Sequence, residues 1–185
     1  IIGTLTAMSA ILYLFPTFPI LPAFSWLEID FADIPALFAS ILISPAAGAA
    51  VVLIRNTVHL TVSSTAMTGE LSNFLISALF VFAAGMFYRL FAKKNAAAGA
   101  GIRMKNVVCA LVLGTVCQVI TAMLVNYFIM IPLYSAFINF DELGKAYYIF
   151  GGVLPFNIIK CTITSAVFAP VVRYAYPPIR RMLAE

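Results

Sequence analysis

The 185-residue chain has little charge and few side chains that carry out chemistry. Only 10% of its residues are Asp, Glu, Lys or Arg, and it has a single histidine. Its one Gly-Lys pair, at Gly144, is followed by alanine and lacks the upstream glycine of a phosphate-binding loop. Neither an H-E-x-x-H metal motif nor a G-x-S-x-G nucleophile motif occurs. The sequence therefore predicts a protein that is not an enzyme, holds no metal and carries no cofactor of its own.

The three cysteines also exclude two classes of site. Cys109, Cys117 and Cys161 all lie within apolar runs, and no two of them have C-x-x-C spacing. Thiols in such a setting behave as small hydrophobic groups. We expect them to be buried rather than to bind metal or exchange electrons.

Apolar residues make up most of what is present. They are 63% of the chain and its mean hydropathy is +1.05, which is far above the level of a soluble domain. The apolar runs suit helices of about 20 residues and lack the alternation of a membrane barrel. The chain starts at Ile1 without methionine or a basic leader. We expect a short preceding stretch, a retained first helix and an all-α integral membrane protein.

Proline and glycine divide the chain into six predicted transmembrane helices in one domain, 1–185. Pro16, Pro19 and Pro22 recur every three residues, which favours extended chain in an outer loop, 16–34, that caps the binding site. Residues 93–104 are expected to form a cytoplasmic linker. The second and third helices are short, which predicts tilt or irregular ends. Pro177-Pro178 is expected to stop the last helix. The helices are predicted at about 2–15, 35–43, 46–63, 69–91, 105–134 and 148–176.

The placement of charge predicts the orientation of these helices. Eight of the eleven basic residues fall at one set of helix ends, whereas six of the seven acids fall at the other. Basic residues favour the cytoplasmic side, so both termini are expected there and the proline loop outside. The net charge of +4 is thus explained by topology and does not predict a nucleic-acid partner. The eight basic residues are Arg89, Lys93, Lys94, Arg103, Lys105, Arg173, Arg180 and Arg181.

Lys160 is the most informative residue of the sixth helix. An ammonium about 15 Å into a membrane helix is costly unless it is paired or lines a cavity. Asn157 lies three residues earlier and therefore on the same face. Asn126 and Tyr127 of the fifth helix are expected at a similar depth. These groups predict a pocket for a neutral, flat, hydrogen-bonding ligand, with apolar cover from Tyr127, Phe128, Phe156 and Trp26.

A second interpretation of the same residues is purely structural. Lys160 would pair with Asp30 or Asp33, and the asparagines would only join helices. Arg55, with Asn56 and His59, similarly favours an internally paired arginine beside a packed histidine. Glu70 and Asn73 begin the fourth helix, where capping and a pocket role are equally compatible with the sequence. These alternatives stay open at the level of the sequence.

Six short segments, by their order and their position relative to six predicted helices, resemble the substrate-binding S components of energy-coupling factor (ECF) vitamin transporters, and specifically the riboflavin-binding branch. The similarity spans nearly the whole chain, and the riboflavin assignment rests mainly on the last two segments. The segments are Asp30–Leu37, Ser44–Gly48, Arg55–Asn56, Asn73–Leu75, Asn126–Tyr134 and Pro155–Lys160.

The resemblance implies the S-component fold with one vitamin bound under the first outer loop. By similarity, Asn126, Asn157 and Lys160 contact the flavin ring. The matching segments also place Asp30, Phe31, Asn73, Tyr127 and Phe156 in the expected substrate-binding set. Small residues of the first helix, Gly3, Ala7 and Ala10, become the expected docking face for a transmembrane coupling subunit.

The implied function is high-affinity riboflavin binding in a bacterial cytoplasmic membrane, with uptake completed by the coupling subunit and two ATPases. Reorientation of the whole component, with the proline loop as gate, is inherited from the same resemblance. Two alternatives remain. One is an S component for another vitamin, and the other is a self-sufficient channel or carrier, which the lack of an inverted repeat disfavours.

Overall fold

Six helices and a two-stranded hairpin form the computed structural model, which describes residues 1–15, 17–62, 68–94, 102–135 and 144–184. The hairpin strands are β1 (Phe18–Pro19) and β2 (Glu28–Ile29). The helices are α1 (Ile2–Leu14), α2 (Asp33–Ile43), α3 (Pro45–His59), α4 (Thr68–Lys94), α5 (Met104–Tyr134) and α6 (Tyr147–Val153, continuing as Leu154–Ala184).

Three of these helices are long and apolar enough to cross a membrane. The spans are Thr68–Lys93, Met104–Tyr134 and Tyr147–Tyr176, while α1 and α2 are shorter apolar helices. The expected irregularity of the short helices is present, because α2 ends in a π-helical turn, Ala39–Ile43. Ser44 then caps α3: its side chain accepts a hydrogen bond from the Ala47 N–H at 3.0 Å, and proline occupies the first helical position.

The proline-rich segment forms a short hairpin that is fastened to α6. Phe18 pairs with Ile29 and Pro19 with Glu28, in antiparallel register. Between the strands a 3₁₀ turn, Pro22–Phe24, carries a fully buried Phe24. The Phe24 ring lies 5.8 Å from the ring of Tyr148, centroid to centroid. This aromatic contact holds the hairpin over one end of the helical bundle.

The buried apolar residues form two clusters, and the polar residues of interest fall between them along α6. One cluster lies near the hairpin and includes Phe24, Tyr148 and Val153. The other includes Cys161 and Phe168 of α6 and extends to α2, α3, α4 and α5. Asn157 and Lys160 lie between Val153 and Cys161 in the sequence. The fold therefore buries polar side chains at the junction of two apolar layers.

Two sequence expectations are wrong. The sixth helix does not stop at Pro177-Pro178 but continues to Ala184. A proline removes only its own N–H bond and strains the preceding turn, and carbonyls freed near a helix end can bond to water. Cys109 is not buried but exposed on the bundle surface, whereas Cys117 is half-buried and Cys161 buried. A thiol is apolar enough for a lipid-facing position.

Other predicted boundaries agree closely or lie outside the described residues. The third helix ends at His59, four residues before the expected end at Ser63, which is itself not described. Pro16 of the outer loop, residues 95–101 of the linker and the acids Asp141 and Glu142 also lie outside the described residues.

Candidate functional site

A cavity of about 220 Å³ lies at the end of the bundle that carries the hairpin. Its lining comes from α1, the hairpin segment, α3, α4, α5 and α6, so elements distant in sequence meet here. The polar lining residues include Asp30, Glu28, His59, Glu70, Ser72, Asn73, Ser77, Gln118, Asn126, Asn157 and Lys160. This end of the bundle is the end at which the sequence places the acids.

Lys160 is buried and paired, and it also lines the cavity. Its Nζ donates to Asp30 Oδ2 at 2.8 Å, and the two side chains are 5% and 3% exposed. The other oxygen of Asp30 accepts a hydrogen bond from the Ala32 N–H at 2.9 Å. Asp30 directly follows β2, so the ion pair joins the hairpin to α6. The structural interpretation of Lys160 is thus confirmed in its pairing, and it is compatible with a ligand-facing role.

A second buried ion pair joins α2 to α3, with a further contact from α4. Arg55 Nη2 donates to Asp33 Oδ1 at 2.6 Å and to Asn73 Oδ1 at 3.2 Å. Ser77 donates to the other Asp33 oxygen at 3.4 Å. The internally paired arginine expected from the sequence is therefore present. Each buried cation of the two pairs is matched by a carboxylate, so these four side chains together carry no net charge.

Two amide side chains facing the cavity are oriented by neighbouring polar groups. Asn126 donates to the Ala122 carbonyl at 2.8 Å, and its Oδ1 accepts from Tyr148 Oη at 2.8 Å. Asn157 donates to the Val153 carbonyl at 2.8 Å, and its Oδ1 accepts from Gln118 at 3.2 Å. Each amide keeps a second N–H and a second lone pair with which it can bond to a ligand.

His59 and Glu70 form a pair at the same cavity. The histidine Nδ1 lies 2.9 Å from Glu70 Oε1, and its ring packs on Tyr13 with centroids 4.2 Å apart. The packed histidine therefore agrees with the sequence interpretation. Glu70 lines the cavity and contacts His59, which goes beyond capping of α4.

The structure brings together six of the eight predicted substrate-binding residues. Asp30, Asn73, Asn126, Phe156, Asn157 and Lys160 line the cavity. Tyr127 and Phe31 do not: Tyr127 is 52% exposed and packs on Phe128, and Phe31 is half-buried outside the lining. Tyr127 follows Asn126 and Phe31 follows Asp30, each of which lines the cavity. Successive residues of a helix or turn point in different directions, so these two side chains do not reach the cavity. Trp26 lines the cavity as expected, whereas Phe128 does not.

Sequence reasoning missed Gln118, Tyr148 and Tyr13, which also line the cavity. Gln118 could have been found, because an amide within the apolar run of α5 meets the criterion that identified Asn157. Neither tyrosine carried such a signal, since aromatic residues are frequent in membrane helices. Their cavity role depends on the helix packing.

Comparison with known proteins decides the family. The family model for "ECF transporter, substrate-specific component" matches residues 1–172. The chain belongs to this family. The expectation of a membrane transport component that is not an enzyme is thereby confirmed, and so is the S-component fold.

Relatives of this S component cover nearly the whole chain. The riboflavin transporter RibU of Streptococcus thermophilus is 33% identical over 100% of this chain and 83% of its own length. The riboflavin transporter FmnP of Bacillus subtilis is 31% identical over 91% of this chain and 86% of its own. A solved structure described as "Structure and mechanism of the S component of a bacterial ECF transporter" superposes with a TM-score of 0.76 at 29% identity, covering 100% of this chain and 95% of that one.

Proposed function

We propose that this S component binds riboflavin and delivers it across the cytoplasmic membrane of a bacterium. The observation that carries the proposal is the convergence of Asn126, Asn157 and Lys160 on one cavity, in a chain whose relatives are named riboflavin transporters. Riboflavin is uncharged, and its ring carries carbonyl oxygens, ring nitrogens and two apolar faces. A site whose buried ammonium is paired and which has several spare donors suits such a molecule.

The roles of the lining residues follow from their chemistry. Asn157 and Lys160 supply donors to carbonyl oxygens, and Asn126 supplies a donor or an acceptor. Phe156 and Trp26 cover the ring faces. Asp30 keeps Lys160 in place through the ion pair, and Asn73 supports Arg55. Six of the eight expected residues thus have a role, while Tyr127 and Phe31 lie outside the proposed contacts.

Transport is proposed to need an ECF coupling subunit and two ATPases. Gly3 and Ala7 of α1 are exposed, Ala10 is half-buried, and no atom lies within 4 Å of a Cβ added at Gly3. Thr6 and Ser9 of the same helix are buried, so α1 has an inner face, and Gly3 and Ala7 lie on its exposed side together with the larger Met8 and Ile11. That exposed side supports docking of another helix. The distribution of charge supports cytoplasmic termini and an outward-facing cavity.

Purification gives a direct test of the ligand. The protein isolated from cells should be yellow, and riboflavin added to ligand-free protein should lose its fluorescence as it binds. Competition with pyrimidine and pterin vitamins separates riboflavin from another ligand of the same fold. A colourless protein that leaves riboflavin fluorescence unchanged would refute the riboflavin assignment.

Reconstitution separates an S component from a self-sufficient carrier. Vesicles containing this chain alone should bind riboflavin without accumulating it, and accumulation should require the coupling subunit, both ATPases and ATP. Accumulation by the chain alone would support the carrier alternative instead.

A further inference from the structure

Gln118 has a buried carbonyl oxygen without a hydrogen-bond partner among the described residues. The residue is 1% exposed and lines the cavity from α5. Its Nε2 donates to Asn157 Oδ1 at 3.2 Å, while its Oε1 has no hydrogen-bond partner in the part of the chain that the structure describes. A buried acceptor without a partner is costly, so a polar group such as this one needs a partner that the described residues do not supply.

The orientation of this amide is determined by its neighbours. The Val153 carbonyl can only accept, so the Asn157 group that faces it at 2.8 Å must be the Nδ2 donor. The Asn157 oxygen therefore faces Gln118, and Gln118 must donate one of its N–H groups to that oxygen. If the Gln118 amide were flipped, two oxygens would face each other. The Oε1 atom is thus fixed as the unused acceptor.

Two donors of α6 line the same cavity as Gln118, and one of them, Asn157, contacts it. Asn157 uses one Nδ2 proton on Val153, and Lys160 uses one Nζ proton on Asp30, so both retain protons for other acceptors. An acceptor on Gln118 and two donors on the same cavity are complementary to a ligand edge that carries one N–H and two carbonyl oxygens. The ring of oxidised riboflavin has this edge, with its N3–H between two carbonyls.

We infer that Gln118 Oε1 accepts the N3–H hydrogen bond of the bound flavin and thereby selects ligands with an imide edge. This inference rests on the proposed function, because it assigns one atom of the same ligand. It gives Gln118 a direct contact in addition to its orientation of Asn157.

A ligand–variant cycle tests the contact. Riboflavin and N3-methylriboflavin are titrated against the wild type, Gln118→Met and Gln118→Asn by fluorescence quenching. Gln118→Met keeps the size of the side chain and removes the acceptor; Gln118→Asn moves it back by one carbon and stays polar. Thr121→Val is the matched control, since this polar-to-apolar change on α5 removes only a bond to the Cys117 carbonyl and lies outside the cavity lining.

Both Gln118 variants should weaken riboflavin binding by about tenfold or more, the size of one buried hydrogen bond. They should weaken N3-methylriboflavin binding by less than about threefold, because that ligand has no N–H to lose. Equal losses for both ligands would mean that Gln118 only positions Asn157. Unchanged riboflavin binding would mean that Oε1 does not touch the ligand.

The outcomes also separate this inference from the proposed function. If the wild type binds riboflavin and both Gln118 variants bind it with the same affinity as the wild type, only the Gln118 contact is overturned. Wild-type protein that binds no riboflavin overturns both. If Gln118→Met does not fold, which its melting temperature and elution profile would show, the Gln118→Asn titrations decide the outcome.

Discussion

The Lys160–Asp30 ion pair serves two purposes at the residue scale. It joins the hairpin to α6, and it holds an ammonium with spare protons at the cavity wall. Removal of one partner from a buried pair leaves the other charge uncompensated, whereas removal of both can be nearly neutral. Stability and ligand binding should therefore respond differently to single and double substitutions.

Lys160→Met should lower the free energy of unfolding by about 3–5 kcal/mol, because Asp30 stays buried without its partner. The double variant Lys160→Met with Asp30→Asn should recover most of that stability. It should still bind riboflavin more than about tenfold more weakly, since the ammonium donors are missing. Melting in detergent and fluorescence titration measure the two effects. A double variant that binds like the wild type would show that the ammonium serves only the fold.

Phe156 and Tyr127 provide a matched aromatic comparison. Phe156 is 7% exposed at the cavity, whereas Tyr127 is 52% exposed outside its lining. Phe156→Ala should weaken riboflavin binding by about tenfold or more, because a buried ring contact and its apolar area are lost. Tyr127→Ala should change it by less than about twofold. Titration of both variants decides the question, and a larger effect at Tyr127 would require a different ligand position.

Close helix approach is the main constraint at the element scale. A Cβ added at Gly48 of α3 would lie 2.5 Å from Ser40 Cβ of α2 and 2.5 Å from Val81 Cγ1 of α4. Nearby, Ser40 Oγ donates to the Val81 carbonyl at 2.6 Å, which ties α2 to α4. The three helices therefore meet where only a glycine fits.

Gly48→Ala should destabilise the protein by about 1–3 kcal/mol, because the added methyl forces packed helices apart. Gly3→Ala is the control, since no atom lies within 4 Å of the added group. Thermal unfolding in one detergent compares the two variants. Equal melting temperatures would mean that the α2–α3–α4 junction can relax without cost.

The helices themselves and the irregular end of α2 were predictable, whereas the π-helical turns of α5 and α6 were not. Apolar runs and prolines located all six helices, but three π-helical turns lie at Ala39–Ile43, Asn126–Met130 and Tyr147–Val153. A π turn adds one residue to a turn and depends on tertiary contacts rather than on local propensity. Two of these turns carry Asn126 and Tyr148, which bond to each other. These two π turns and the cavity role of Tyr148 were therefore missed for the same reason, since both depend on tertiary contacts.

At the scale of the whole molecule, the polar residues of the site were predictable, but the pairing of their charges and hydrogen bonds was not. Burial of amides and charges in apolar helices pointed to Asn126, Asn157 and Lys160. Which acid pairs with Lys160 could not be read from the sequence, because Asp30 and Asp33 lie three residues apart. The packing of α2 and α3 assigns Asp33 to Arg55 and leaves Asp30 for Lys160.

Substitutions on the exposed side of α1 should affect transport without affecting ligand binding. Ala7→Trp on this side of α1 should abolish ATP-dependent uptake, because the bulky ring blocks close docking of a partner helix. It should leave riboflavin affinity within about twofold, since Ala7 lies outside the cavity lining. Leu124→Trp, at an exposed position of α5, is the control and should preserve uptake. Loss of uptake in both variants would assign the effect to membrane insertion instead.

The ion pair in the cavity wall joins residues 130 positions apart in the chain. Such a contact cannot form until the last helix has left the ribosome and entered the bilayer. Four helices, α2 to α5, are synthesised between Asp30 and the helix that carries Lys160. The wall of the cavity is therefore completed only after α6 has joined the bundle.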